Sequence, residues 1–196
     1  MKQGYLYTVV FVLVAAVLFT AILATAQTVL HPRIAANQAN AEKAAILYVF
    51  GIAPDDFDLE SLFEQYVSTT QVNGLEVYIY ADQAGVKNYA VPFTGAGLWG
   101  SIHGYLAVSA DLTEITGLEF TKQSETPGLG SRIDEVWYKE QFRGIKIADA
   151  VPVFADQSGT ALVDAVTGAT SSSNAVLQIV TETIEKRVSQ LEVLLP

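Results

Sequence analysis

The chain has 196 residues, 51% hydrophobic and 10% aromatic, which is ample for a packed core and argues against disorder. It contains no cysteine and only two histidines, His31 and His103, so disulfides, iron–sulfur clusters, zinc–thiolate sites and thiol catalysis are excluded and no histidine pattern for a metal exists. Redox work would therefore need an organic cofactor, and a formal charge of −10 without any basic, aromatic-interleaved patch argues against a nucleic-acid partner.

From Gly4 to Leu30 the sequence carries no charge. Its core, Tyr5 to Ala26, would span about 33 Å as a helix, matching a hydrocarbon layer of about 30 Å. Tyr5 and Tyr7 stand where interfacial aromatics sit. Ala24-Thr25-Ala26 has the form of a cleavage site, but the apolar run exceeds the roughly 7–15 residues of a signal peptide, so residues 1–30 read as an uncleaved transmembrane anchor in a lipid bilayer. Lys2 before the run and Arg33 and Lys43 after it nearly balance, so charge assigns no orientation.

Residues 31–58 read as a helical connector, with a helix over Ile34–Tyr48 that Gly51 and Pro54 stop. Residues 59–196 read as the domain proper. A short helix is predicted over Leu59–Val67. The period then changes to two: Leu75–Tyr80 is a strand, Asp82–Gly85 a turn, and Val86–Phe93 a second strand. Gly104–Ala110 and Ile115–Thr121 form another pair around Asp111-Leu112-Thr113. Glu135–Phe142 reads as a short helix, and Ile145–Ala148 and Thr160–Val166 as further strands. A last helix follows the serine cluster, with Val176, Val180, Ile184, Val188 and Leu191 as its apolar stripe. The fold class is α+β: one N-terminal transmembrane helix, then one domain with a mostly antiparallel sheet and flanking helices.

Three segments carry chemistry. The first is Gly95-Ala96-Gly97-Leu98-Trp99-Gly100, continuing as Ser101-Ile102-His103-Gly104. It has the bare spacing of a dinucleotide-binding loop, but no phosphate-gripping helix or ribose-binding acid follows. The second is Glu125-Thr126-Pro127-Gly128-Leu129-Gly130, which as a plain turn would use Pro127 and Gly128 for a type II geometry. The third is Asp164-Ala165-Val166-Thr167-Gly168-Ala169-Thr170, then Ser171-Ser172-Ser173-Asn174. Here small residues bare the backbone before a threonine hydroxyl, and the serines could serve as a helix N-cap. A threonine hydroxyl is a poor nucleophile and needs an outside catalyst.

Together these segments resemble the C subunit of the Na+-translocating NADH:quinone reductase, and two of them also resemble the G subunit of the Rnf ferredoxin:NAD+ electron-transport complex. The resemblance covers most of the chain, with Thr167 standing where the reductase's C subunit usually has serine. It implies an FMN-binding domain in which a dedicated flavin transferase esterifies the FMN phosphate onto Thr170. Asp164, Thr167, Gly168, Ala169 and Ser171 would belong to the attachment signature. Glu125, Thr126, Gly128, Leu129, Leu98 and Trp99 would contact or support the flavin ring. The resemblance further implies an electron carrier, not catalytic alone, in a bacterial inner membrane, with the flavin domain on the periplasmic side and other membrane redox subunits as partners. Two other readings stay open: a membrane-anchored binding or scaffold domain without flavin, and a hydrolase built on Ser101 and His103 or on the serine cluster, although neither sits in a G-x-S-x-G elbow.

Overall fold

Alternate residues of the central strands point to opposite sides, and each side of the sheet collects its own cover. The computed structural model describes residues 2–52, 59–82, 85–147 and 163–195. These fall into two compact units, residues 1–40 and 41–196.

The first unit is helical. Where two helices are expected, over Tyr5–Ala26 and Ile34–Tyr48, one continuous helix α1 runs Lys2–Val49. Pro32 lies inside it and removes one hydrogen bond, but the helix continues on both sides. The stretch from Gly4 is long and apolar enough to cross a membrane.

In the second unit, α2 (Leu59–Tyr66) runs straight into a five-stranded sheet. The strands are β1 (Val67–Val72), β2 (Leu75–Asp82), β3 (Gly85–Ala96), β4 (Ser101–Ser109) and β5 (Ile115–Lys122). They lie in the order β1-β2-β3-β4-β5, every neighbour antiparallel. The predicted antiparallel α+β class holds. β1 was not anticipated: Val-Ser-Thr-Thr-Gln-Val offers little apolar alternation, and Val72 is its one buried residue. The Asn73-Gly74 turn, with φ of 53° and 83°, suits the tight hairpin that pairs β1 with β2.

β3 and β4 are longer than predicted and meet in a hairpin whose tip is Gly97–Gly100. Two register shifts in the β4–β5 pairing, at His103/Gly104 and Ala107/Val108, leave Thr121 and Thr116 as extra residues on β5, and Ile115, Leu118 and Phe120 all join one core cluster. After β5 come a 3₁₀ turn (Gly130–Asp134), α3 (Val136–Glu140), α4 (Thr170–Lys186) and a second 3₁₀ segment (Val188–Leu194). Val188 and Leu191, expected on the last helix, pack from that final segment instead.

One face of the sheet, with Val77, Val91, Phe93, Ile102 and Leu106, packs against α4 through Val176, Ile179 and Val180. The other, with Ala90, Tyr105 and Ala107, is covered by Ala45, Ile46, Val49 and Phe50 at the end of α1.

The strand expected at Ile145–Ala148 is reduced to an isolated bridge between Lys146 and Glu114. Three backbone bonds tie this segment to the start of β5 and its turn, and Ile145 serves as a core residue. Val163–Val166 forms no strand; Val163 and Val166 are buried plugs. Pro54, the turn residues Gln83 and Ala84, Ala148 and the first half of Thr160–Val166 lie outside the described residues.

Candidate functional site

The three sequence segments, far apart in the chain, meet beside the N-terminus of α4. The helix opens at Thr170 itself, so the serine cluster forms its first turn and not, as expected, a cap before it. Ala169 holds the N-cap position, and no side chain caps there. The first N–H groups of a helix lack intrahelical acceptors and carry partial positive charge. Thr170 is exposed at this end, and Gly168 precedes it with a φ of +79°, a conformation that favours glycine.

Ser172 and Ser173, by contrast, are buried and point inward. The Ser173 hydroxyl accepts from the Val166 N–H at 3.0 Å and donates to the Ala169 carbonyl at 3.1 Å, bracing the turn that presents Thr170. Beneath it the buried Tyr138 hydroxyl donates to the Ser173 carbonyl at 3.4 Å. Burial pushes the Tyr138 phenol well above its ordinary value, so it stays a neutral donor. Gln141 grips the backbone of Asp164 on both sides: its amide oxygen accepts from the Asp164 N–H at 2.7 Å, and its amide nitrogen donates to the Asp164 carbonyl at 3.3 Å. Asp164 and Thr167 are exposed, while Ala169 is buried.

The Glu125–Gly130 loop packs next to this turn. The Thr126 carbonyl accepts from the N–H groups of Leu129 and Ser131, both at 3.1 Å, and the Gly128 N–H donates to the Ser131 hydroxyl at 3.0 Å. The N–H groups of Gly128 and Leu129 are thus used inside the loop. What it offers outward is the Leu129 side chain, which stands 3.6 Å from where a Cβ on Gly168 would lie. The hairpin tip adds Leu98 and Trp99, which are 56% and 71% exposed. Leu98, Trp99 and Leu129 leave large apolar side chains open to solvent on the segments that meet here, as Val136, Trp137, Val193 and Leu195 do elsewhere in the domain.

Glu125 does not cap its own turn. It is 4% exposed and reaches across to the other two segments: one carboxylate oxygen accepts from the Trp99 N–H at 3.1 Å, the other from the Ser172 hydroxyl. Sequence reasoning missed Ser172, Ser173, Tyr138 and Gln141. The available signal was the spacing, since serines two and three residues after the first residue of a helix turn back into the body of the domain. His103 lies 3.0 Å from Thr94 across the β3–β4 pair, and among the described residues no hydrogen bond joins it to Ser101 or to the serine cluster.

Residues 97–185 match the family model of the FMN-binding domain. The segment starts at the hairpin tip and ends near the close of α4, so it contains every site residue named above except Thr94 of the β3 strand. The C subunit of the Na(+)-translocating NADH-quinone reductase of Pasteurella multocida is 34% identical over 114 residues, covering 54% of this chain and 44% of that protein. The G subunit of the proton-translocating ferredoxin:NAD(+) oxidoreductase complex of Clostridium ljungdahlii is 37% identical over 118 residues, covering 59% and 62%. The chain thus spans about half the length of the curated relatives it matches. The crystal structure of Shewanella oneidensis NqrC shares the fold, with a TM-score of 0.67 at 19% identity over 81% of this chain and 99% of that one.

The residues of the matched segment suit FMN. A phosphate fits the positive end of a long helix, and an isoalloxazine ring fits beside Leu98, Trp99 and Leu129.

Proposed function

We propose that Thr170 carries FMN through a phosphoester bond and that the protein is the electron-carrying subunit of an ion-translocating NADH:quinone reductase. The observation that carries this reading is the Thr170 hydroxyl, exposed on the first residue of α4 between a positive-φ glycine and a braced serine turn. Gly168 and Ala169 leave room for a transferase to reach that hydroxyl, and Asp164 stands six residues before it in an exposed, backbone-clamped position.

Bound there, FMN would supply one- and two-electron transfer. Leu98, Trp99 and Leu129 would seat an apolar ring and exclude water from one side. The α4 N-terminus favours the phosphate charge. A covalent tether makes a deep nucleotide pocket unnecessary, since it replaces binding by a permanently high local concentration. The open setting of Trp99 and Leu98 suits exchange of electrons with neighbouring subunits rather than oxidation of a nicotinamide in a closed site.

In this reading α1 anchors the chain as a single pass in the inner membrane of a bacterium, with the FMN-binding domain on the periplasmic side, where a lost cofactor could not be replaced from the cytoplasm. Membership of an Rnf-type complex is the second reading, favoured by the 62% of the Clostridium ljungdahlii protein that the match covers.

Intact mass of the purified protein, expressed with and without a flavin transferase, tests the attachment. A gain of about 438 Da, one FMN less one water, is expected only with the transferase and is lost in Thr170→Ala. No gain with a transferase active on a control protein would overturn the reading.

A further inference from the structure

The most unusual group outside the attachment turn is the Glu125 carboxylate. It is buried, and among the described residues no basic side chain pairs with it. A buried charge without a cation persists only where hydrogen bonds and local dipoles hold it. Here the holders are the Trp99 N–H at 3.1 Å, the Ser172 hydroxyl, and the positive end of α4. Space is reserved for it on two sides. A Cβ on Gly97 would lie 2.5 Å from its Oε1, and a Cβ on Gly130 would lie 3.0 Å from its own Cβ and 2.5 Å from the Ser172 hydroxyl.

We infer that Glu125 is a positioning residue: its carboxylate bolts the Trp99 hairpin tip to the first turn of α4 and so fixes where the Trp99 indole stands relative to Thr170. The indole, 71% exposed, gains little orientation from packing, so its place is set by its backbone. That backbone is closed at its base by the Gly97 N–H to Gly100 carbonyl bond of 2.8 Å and tied to the rest of the site through Trp99 N–H. Only an acid presents two acceptor oxygens to two donors at once. Glutamine of the same length keeps the Trp99 bond and can meet the Ser172 hydroxyl with its NH₂. Alanine leaves both donors without a partner.

The optical half of the test rests on the proposed attachment of FMN to Thr170, and the indole half does not. In full-length protein with Trp137→Phe, Trp99 is the sole tryptophan, because the sequence has two. In the flavin-free Thr170→Ala form, Glu125→Ala is expected to lower Trp99 fluorescence anisotropy while thermal unfolding stays cooperative, and Glu125→Gln to restore it. In flavinylated protein, Glu125→Ala is expected to lose most of the visible circular dichroism of the flavin, and Glu125→Gln to keep it. Ser172→Ala, which removes one arm of the clasp, should give an intermediate loss and serves if Glu125→Ala does not fold. Trp99 anisotropy unchanged in both Glu125→Ala and Ser172→Ala would overturn the inference. A change in Trp99 anisotropy with no flavin on the wild type would leave the clasp standing and remove the proposed attachment instead.

Discussion

The two faces of the sheet are held in different ways. The α4 face is an apolar core that ends in the site, and its polar contacts, those of Glu125, Ser172, Ser173 and Tyr138, gather at the helix N-terminus. The α1 face is aromatic, with Tyr78 against Tyr105 at 5.6 Å and Phe50 against Tyr80 at 5.6 Å. Its edge is closed by a charged cluster. Lys139 donates to both oxygens of Glu119 at 2.7 and 2.8 Å and lies 5.0 Å from the centre of the Tyr48 ring, whose hydroxyl donates to Glu140 at 2.8 Å. The difference teaches a division of labour: a charged cluster on α3 and β5 grips Tyr48 at the end of α1 through a hydrogen bond and a cation–π contact, while hydrogen bonds to helix ends arrange the site.

If that division holds, damage to the clamp should cost stability and leave the site's optical signature intact. Lys139→Met should have the largest effect, about 3–5 kcal/mol in chemical denaturation, because it strands a buried carboxylate. Burial already raises the Glu119 carboxyl above its usual range, and Lys139 offsets this only in part. A carboxyl raised in the folded state binds its proton more tightly there than in the unfolded chain. Its ionised form therefore costs stability as pH rises through the folded value. The Lys139→Met defect should accordingly shrink as pH falls through that raised range, and a defect that grows on acidification would contradict the assignment.

Gly117→Ala probes the same face without touching a charge. A Cβ there would lie 2.3 Å from the Val49 carbonyl oxygen and 2.6 Å from its Cα, so α1 must shift, at a cost of about 1–3 kcal/mol. Melting should report the loss, and folded protein should keep the visible dichroism of an attached flavin. Gly168→Ala tests the opposite face: with φ at +79°, the new side chain costs about 1–2 kcal/mol. Here the rate of flavin attachment should fall as well, because Gly168 sets the turn before Thr170. Tyr48→Phe should be the mildest, about 0.5–1.5 kcal/mol, since it removes one hydrogen bond at the clamp. Burial and the bond to Glu140 push that hydroxyl up to about 12, so the loss should be flat across neutral pH.

Much of the fold was legible because side-chain period survives in short windows. Leu75–Tyr80, Ile115–Thr121 and the Val176–Val180 stripe each alternate or repeat as their elements require. β1 was hidden because an edge strand needs few apolar residues, and Val163–Val166 misled because two buried valines can plug a core without pairing. The continuity of α1 through Pro32 was equally out of reach, since a single missing bond marks a break only if the flanking turns also fail.

The residue pattern alone settled the chemistry on offer: no thiol, no metal-ligand set, an apolar run long enough for a membrane, and three glycine-containing motifs around one threonine. It could not place Glu125. A glutamate beginning a proline–glycine turn reads as local, yet its oxygens are taken by Trp99, 26 residues earlier, and Ser172, 47 residues later. Hydrogen bonds of such separation leave no periodic trace, and folding alone brings their partners within reach.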